Sequence, residues 1–216
     1  MSFQVIDHDQ GSIPWLRWRH DGIGGSDAPA LMGENPWRSP AALFAEKVAP
    51  PRYGPARLLS GRRPRPAPVV ADLFGAPPPP RDTGLEAQAR RLYIAAHGSA
   101  VAPCCLVSIA RPWQRASLDG LDPAAGRALE IKCGQATYSE VARSGRVPGH
   151  YIGQLQQTLA VTGYPSIDFW VWCPGRPPLL ITEWRDEVYI ERLNVRGADF
   201  WARVLAARQA STASRP

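Results

Sequence analysis

Two acidic residues and a lysine in SLDGLDPAAGRALEIKC, at 117–133, have the types and spacing of a hydrolytic metal site. Asp119 precedes Glu130, and one apolar residue separates Glu130 from Lys132, which gives the pattern D-x(10)-E-x-K. Close carboxylates repel and raise one another's pKa, and a divalent cation between them removes that repulsion. Oxygen ligands suit Mg²⁺, and Mn²⁺ would bind the same set. Such an ion polarises a phosphodiester and activates water, while Lys132 orients that water or stabilises the developing charge.

The motif alone leaves two interpretations open. It is typical of metal-dependent nucleases, but it also fits a solvated strand face with an ordinary Glu–Lys pair. Two further residues favour the nuclease: Glu86 begins a helix in GLEAQARR, and Gln154 lies on a helix face in HYIGQLQQTLAVTG. Their order along the chain is the one expected if both helices pack beside the motif. The alternative for Glu86 is a carboxylate that stabilises a helix N-terminus, and the alternative for Gln154 is an ordinary polar helix face.

A β-hairpin is needed to bring the motif together. The turn sequence DPAAGR has the composition of a hairpin connection. Because successive side chains of a strand point to opposite faces, Leu129 and Ile131 share one face, and Glu130 and Lys132 share the other. Antiparallel pairing across the turn then places Asp119 beside Glu130.

The patterns around the hairpin predict an α/β fold with a small mixed central β-sheet flanked by helices. Helical spacing and glycines that end it predict helices, and runs rich in β-branched and aromatic residues predict strands. The predicted helices lie in pieces within 11–49 and at 84–98, 150–163 and 186–207; the predicted strands lie at 101–109, 113–122, 128–133, 167–173 and 179–184.

Local signals refine three of these helices. Ser26 and Asp27 are candidate N-caps of a short helix that Gly33 ends. Ser39 is the candidate N-cap of the next helix, with a proline as its first residue. Apolar spacing predicts the buried face of the helix at 84–98, which consists of Leu85, Ala89, Leu92 and Ala96.

The composition argues against several classes of protein. No stretch approaches the ~18 apolar residues of a membrane span, and the N-terminus lacks the basic and apolar regions of a signal peptide. We therefore expect no membrane partner and a cytoplasmic location. The absence of a CxxC pair argues against a zinc ribbon and a disulfide framework, and it predicts reduced thiols at Cys104, Cys105, Cys133 and Cys173.

Proline and positive charge concentrate in one segment, 50–82. It holds ten prolines and six arginines against two acids, so it supplies most of the net charge of +6 of the 216-residue chain. Proline removes backbone donors, so the segment is neither a helix nor an inner strand. Two roles stay open, a tolerated insertion in a surface loop and a flexible basic arm that meets DNA or a partner protein.

Several blocks in the same order resemble the lambda exonuclease and YqaJ-type viral recombinase family, nucleases of the restriction-endonuclease-like fold. Together they are more specific than any single motif. After Arg19, the blocks are GIGGSDAPALMG at 22–33, PWRSPAALFAEK at 36–47, GLEAQARRLY at 84–93, WQRASLDGLD and LEIKC within 113–133, VPGHYIGQLQQTLAVTG at 147–163, and RDEVYIERL at 185–193. We expect one nuclease domain over 1–209, with 50–82 as an insertion and 210–216 as a disordered tail.

The resemblance implies a role for each residue of the motif. Asp119 and Glu130 resemble the metal-binding carboxylates, and the backbone carbonyl of Ile131 a further ligand. Lys132 resembles the catalytic lysine. Two residues outside the hairpin complete the implied catalytic set: Glu86, as an acid that supports a second metal or the water, and Gln154, as a glutamine that contacts the site.

Arg19 and Ser26 match positions that hold the 5′-phosphate of a DNA end in the family. A guanidinium recognises phosphate bidentately, and a serine among glycines near a helix start offers a hydroxyl and free N–H donors. The alternative for Arg19 is an ordinary surface arginine, and the alternative for Ser26 and its glycines is a simple N-capping turn.

The function implied by the resemblance is a Mg²⁺-dependent 5′→3′ exonuclease of double-stranded DNA ends that leaves 3′ single-stranded overhangs for recombination. It also implies a single-strand annealing protein as partner, a ring-shaped homotrimer, and a bacterial or phage-infected cell. Two alternatives remain: a restriction-type or repair endonuclease on the same fold, and a DNA-end-binding protein that has lost catalysis.

Overall fold

A computed structural model of the chain describes residues 2–51 and 84–213. The segment predicted as a Pro/Arg-rich insertion at 50–82 therefore lies, after its first two residues, outside the described residues. Within the described ranges, no helix combines the length and the apolar character needed to cross a membrane.

Six strands form one mixed sheet in the order in which they occur along the chain. Their bounds are β1 (Phe3–Ile6), β2 (Ala102–Ser108), β3 (Arg115–Asp122), β4 (Arg127–Cys133), β5 (Ser166–Trp172) and β6 (Leu179–Trp184). The β4–β5 pair is parallel and the other neighbours are antiparallel. The mixed sheet was predicted, except for β1, an edge strand that the sequence patterns did not indicate.

The described residues form seven α-helices and one short 3₁₀ turn, Gly25–Asp27. The helices are α1 (Ile13–His20), α2 (Ala28–Met32), α3 (Pro40–Val48), α4 (Leu85–His97), α5 (Gln135–Ser144), α6 (Gly149–Thr162) and α7 (Glu187–Ala213). The predicted α/β class is confirmed. The cap of α3 is confirmed as well, since the Ser39 side chain accepts a hydrogen bond of 3.2 Å from the Ala42 amide.

Helices cover both faces of the sheet. On one face, Leu129 and Ile131 of β4 belong to a buried cluster with Ala89 and Tyr93 of α4. On the other face, a larger cluster joins the sheet to α5 and α6. A third cluster holds α2, α3 and α7 together, and α2 and α7 both contact α6. The alternation of side chains predicted for β4 therefore holds.

The predicted buried face of α4 is wrong in part. Leu85 and Leu92 are 42% and 39% exposed and Ala96 is exposed as well, whereas Ala89 and Tyr93 are fully buried. The helix is rotated because the small Ala89 admits the Trp170 ring, whose Nε1 donates a 3.0 Å hydrogen bond to the Ala89 carbonyl. A tight aromatic contact outweighs the burial of two flexible leucines.

The last helix extends to Ala213, four residues into the tail predicted as disordered at 210–216. The end of the helix is rich in alanine, which has the highest helix propensity. The hydroxyls of Ser211 and Thr212 also donate hydrogen bonds to the carbonyls of Ala207 and Arg208, one turn earlier. Residues 214–216 lie outside the described residues.

A glycine sets the distance between α6 and α2. A Cβ at Gly153 would lie 3.0 Å from the Pro29 nitrogen and 2.8 Å from the Tyr189 hydroxyl. The two backbones can approach this closely only because Gly153 has no side chain. The next residue of α6 is Gln154, so this contact also positions a candidate site residue.

We predict that Gly153→Ala lowers the free energy of unfolding by about 1–3 kcal/mol, because the added methyl group has to displace the backbone of Pro29. Urea denaturation followed by circular dichroism measures this change. Gly149→Ala in the same helix is the matched control, since nothing lies within 4 Å of its added Cβ. Equal stability of the two variants would contradict the close approach.

Candidate active site

The two carboxylates of the motif are buried. Asp119 is 6% exposed and Glu130 is 3% exposed, so the alternative of a solvated strand face is wrong. The hairpin register pairs Gly120 with Leu129, which makes Asp119 and Glu130 neighbours across the two strands. Oδ2 of Asp119 accepts a 2.8 Å hydrogen bond from the Ile131 amide, which fixes its carboxylate against β4.

Lys132 and Gln154 converge on one oxygen of Glu130. The Lys132 ammonium lies 2.5 Å from Oε1 of Glu130, and Nε2 of Gln154 donates to the same oxygen at 2.5 Å. The ammonium also lies 3.5 Å from Oε1 of Gln154 and 4.9 Å from the centre of the Tyr151 ring. Burial by itself would lower the pKa of Lys132, but the charges of Glu130 and Asp119 outweigh it and raise that pKa. The two carboxylates therefore favour the charged form of Lys132.

Glu86 reaches the site through an arginine. Nη2 of Arg90 lies 3.2 Å from Oε1 of Glu86, one helical turn away, and its Nε donates to the Asp119 carbonyl at 2.6 Å. Glu86 is thus close to the hairpin. Burial is the larger cause of the raised pKa of Cys133, and the negative charge of Glu86 raises that pKa further. In 2–51 and 84–213 no three His, Cys, Asp or Glu side chains come close enough to hold a metal together.

The donor set around Ile131 nevertheless fits a magnesium ion. Mg²⁺ is usually held by one or two carboxylates and completes its shell with water and substrate phosphates. Asp119 and Glu130 supply two buried carboxylates on adjacent strands, and the Ile131 carbonyl belongs to the residue between Glu130 and Lys132. All of these donors are hard oxygens. The structure brings these residues and Gln154 together, and their chemical roles stay predictions.

Arg19 and Ser26, the predicted phosphate pair, contact each other. Nη2 of Arg19 donates a hydrogen bond to Oγ of Ser26, and its guanidinium lies 4.5 Å from the centre of the Trp15 ring. Arg19 is half-buried, and Ser26 is exposed in the turn Gly25–Asp27. Arg19 is therefore not a simple surface arginine, because the Trp15 ring and Ser26 both orient it.

The buried side chain of Asp27 holds the turn Gly25–Asp27 in place. It was predicted as an N-cap of α2, but its side chain makes no cap bond to that helix. Its Oδ2 instead accepts from the Gly24 amide at 3.0 Å, and buried ion pairs join it to Arg38 at 2.9 Å and to Lys47 at 2.8 Å. Lys47 also donates to the Arg19 carbonyl at 2.9 Å. Burial raises the pKa of Asp27, but Lys47, Arg38 and Arg19 outweigh it and hold that pKa well below its usual range.

Helix α6 joins the phosphate pair to the carboxylates. A Cβ on Gly25 would lie 3.3 Å from Cγ of Gln154, so the turn rests directly on the residue that contacts Glu130. One helical turn later, Nε2 of Gln157 donates to the Ile23 carbonyl at 2.9 Å and to the Arg115 carbonyl at 3.3 Å. The two predicted groups of residues therefore form one continuous site.

Three site residues were missed by the sequence patterns. Arg90 carried a usable signal, because it lies four residues after Glu86 on the same helical face. Asp27 was noted only as a cap, and its ion pairs depend on Arg38 and Lys47 in other elements. Tyr151 carried no signal, since its ring lies near the Lys132 ammonium only through a tertiary contact between α6 and the end of β4.

Comparisons with known proteins cover most of the chain. The YqaJ-like viral recombinase domain matches residues 14–165, which include every predicted site residue. No curated protein sequence matches the chain.

Solved structures show the same fold. An alkaline exonuclease from Laribacter hongkongensis, LHK-Exo, aligns with a TM-score of 0.70 at 23% identity and covers 93% of this chain and 96% of its own. The same enzyme in complex with dAMP aligns with a TM-score of 0.69 at 24% identity, over 92% of this chain and 95% of that structure's chain. A phage-related exonuclease from Haemophilus somnus 129PT aligns with a TM-score of 0.51 at 12% identity, over 88% of this chain and 98% of that structure's chain. The likeness is consistent with a restriction-endonuclease-like core.

We predict that Asp27→Asn lowers the free energy of unfolding by about 3–5 kcal/mol at neutral pH, because it leaves Arg38 and Lys47 buried without their counter-charge. Urea denaturation measures the difference. Asp199→Asn is the matched control: Asp199 pairs with Arg203 at 3.0 Å on the surface, so its loss should change the value by less than about 1 kcal/mol.

The same variant has a pH signature. The ion pairs lower the pKa of Asp27 in the folded protein, so their contribution is complete above the unfolded pKa of about 4 and is lost as the pH falls below it. The stability difference between the native protein and Asp27→Asn should therefore be smaller near pH 3 than near pH 7. A difference that is independent of pH would show that Asp27 does not act through its charge.

Proposed function

This chain belongs to the YqaJ-like viral recombinase domain family, and we propose that it is a Mg²⁺-dependent 5′→3′ exonuclease of double-stranded DNA that leaves 3′ single-stranded overhangs. The observation that carries the proposal is the contact between Gly25 and Gln154. It sets a pair suited to a terminal phosphate, Arg19 with Ser26, beside buried carboxylates and a lysine suited to phosphodiester hydrolysis. The fold shared with proteins described as exonucleases supports the same conclusion.

Asp119, Glu130 and the Ile131 carbonyl are the residues that would hold Mg²⁺. When bound, the ion supplies a Lewis acid for the phosphodiester and lowers the pKa of water. The structure fits this role because Asp119 is already oriented by the Ile131 amide at 2.8 Å. Its carboxylate therefore loses little freedom when it binds a ligand.

Lys132 supplies a positioned positive charge. Its ammonium contacts Glu130 at 2.5 Å and Gln154 at 3.5 Å, and the charges of Glu130 and Asp119 raise its pKa. A fixed cation in a buried site stabilises negative charge on a phosphate in the transition state more than a mobile one in water does. In the proposed reaction Lys132 would also donate a hydrogen bond to the attacking water.

Arg19 and Ser26 give the site a preference for DNA ends. The guanidinium and hydroxyl face a turn of glycines, where backbone and side-chain donors can surround a terminal phosphate. A phosphate bound there places the first phosphodiester of its strand toward Gln154 and Glu130. An internal endonuclease has no need of such an end-binding pair.

The family resemblance adds two parts of the proposal that concern assembly. A ring-shaped homotrimer would enclose the DNA and keep the enzyme on it, and a single-strand annealing protein would receive the 3′ overhang. Analytical ultracentrifugation of the purified chain and co-purification with a candidate annealing protein test these two parts separately.

We predict that Glu130→Ala lowers Mg²⁺-dependent degradation of linear duplex DNA by about 100-fold or more, because it removes a metal-binding carboxylate. Release of acid-soluble nucleotides measures the activity. DNA binding measured in EDTA should largely survive, since phosphate contacts elsewhere stay intact. Glu191→Ala, an exposed carboxylate of α7, is the control and should keep full activity. Undiminished activity in Glu130→Ala would rule out the proposed site.

We predict that linear duplex DNA with a 5′-phosphate is degraded faster than the same DNA with a 5′-hydroxyl, and that Arg19→Ala removes this difference. A 5′-hydroxyl gives the guanidinium no phosphate to bind, and Arg19→Ala removes the guanidinium, so the bidentate contact is lost in both cases. Initial rates on the two substrates measure the ratio. Arg17→Ala is the matched control, because Arg17 is an exposed residue of the same helix.

A closed circular duplex separates the proposal from its alternatives. An exonuclease leaves it intact, whereas equal cutting of circular and linear DNA would identify an endonuclease. Binding of DNA ends without any Mg²⁺-dependent degradation would identify an inactive end-binding protein.

A further inference from the structure

A solvent-exposed tryptophan, Trp37, is held by a rigid turn. The Asn35 side-chain oxygen accepts hydrogen bonds from the amides of Trp37 at 2.8 Å and Arg38 at 3.0 Å. The Arg38 side chain is buried and is anchored by its ion pair with Asp27. The Trp37 side chain nevertheless remains 62% exposed. Its backbone is therefore fixed while its large ring faces solvent.

Two aromatic rings, those of His150 and Tyr151, join this tryptophan to Lys132 of the candidate active site. The Trp37 ring meets His150 edge to face, with centroids 5.0 Å apart and planes at 84°. His150 lies 4.1 Å from Tyr151, its neighbour in α6, with planes at 48°. The Tyr151 ring in turn lies 4.9 Å from the Lys132 ammonium. The exposed ring is thus the outer end of a row that begins in the candidate active site.

Exposure alone would not distinguish Trp37. Trp184, at the end of β6, is 67% exposed, and single apolar side chains on a surface are common. What separates the two is continuity, because Trp37 is joined through His150 and Tyr151 to the site where a phosphodiester would bind. The nearest macromolecule to this ring during turnover would then be the nucleic acid strand itself.

We propose that Trp37, in T-shaped contact with His150, is a stacking surface for an unpaired base of the strand whose phosphodiester lies at Glu130. Aromatic side chains bind single-stranded nucleic acid in this way because every base has a π face, and the interaction tolerates any sequence. The inference rests on the proposed function, and it adds that the site binds its strand with at least one base outside the duplex.

The rigid turn gives the stack its strength. A surface tryptophan on a mobile loop loses conformational freedom when a base binds, whereas the bonds from Asn35 and the anchoring of Arg38 have already removed that freedom here. His150 limits the rotation of the ring further. A single T-shaped contact covers at most one face of the indole, so at least one broad face stays available for a base.

The test measures binding of a short 5′-phosphorylated single-stranded oligonucleotide in EDTA by fluorescence anisotropy. Trp37→Ala should weaken binding about tenfold, the size expected for the loss of one base–aromatic stack. Trp37→Phe should recover most of the affinity. Trp184→Ala is the matched control and should bind like the native protein. The slope of affinity against salt should stay the same in Trp37→Ala, since Trp37 neutralises no phosphate.

A second measurement changes the DNA instead of the protein. A set of oligonucleotides carries one abasic nucleotide at successive positions from the 5′ end. At one position the native protein should lose about tenfold in affinity, and Trp37→Ala should lose nothing further. The loss shown by the native protein does not depend on the folding of any variant, and the comparison with Trp37→Ala then assigns that loss to Trp37.

Each result supports or overturns the inference. Unchanged binding by Trp37→Ala overturns it. The inference is also overturned if Trp37→Ala binds more weakly but no abasic position lowers the affinity of the native protein while leaving that of Trp37→Ala unchanged. A changed oligomeric state in Trp37→Ala with unchanged DNA affinity would assign the ring to a protein interface instead. Because binding is measured without metal, failure of the nuclease proposal shows separately, as absent degradation by the native protein in Mg²⁺.

Discussion

A carboxylate buried in a protein must be compensated by charge or by hydrogen bonds, and three such carboxylates organise this molecule. Asp27 is compensated by Arg38 and Lys47, and this pairing holds the turn that carries Ser26. Glu130 is compensated by Lys132 and Gln154. The third, Asp119, takes the amide of the neighbouring strand. Each compensation draws a second element of the chain toward the site.

Helix α6 is the element that makes these local solutions one site. Gly153 brings it against α2, Gln154 contacts both Glu130 and the glycine turn, and Gln157 binds the backbone of Ile23. These three residues lie within a span of five consecutive positions, so they share a rigid frame with a rise of about 1.5 Å per residue. The separation of the phosphate pair from the carboxylates is therefore set by one helix and not by a loop.

Much of the fold and part of the site could be read from local patterns. The β4 alternation, the hairpin turn, the cap at Ser39 and most strands depend on neighbours within a few residues. The buried face of α4 could not be read in this way, because Trp170 comes from a strand far along the chain. The position of Glu86 depends likewise on Arg90, which joins a helix to the hairpin.

The sequence by itself determined which residues are candidates for the chemistry: Asp119, Glu130 and Lys132 from their strand spacing, and Arg19 and Ser26 from the family resemblance. Spacing along a strand is a local property, so no tertiary contact was needed to recognise it. Only the tertiary structure decided that the two groups are adjacent and that Trp37 leads into them. Those facts depend on the contact of Gly25 with Gln154 and of Trp37 with His150, between residues more than a hundred positions apart in the chain.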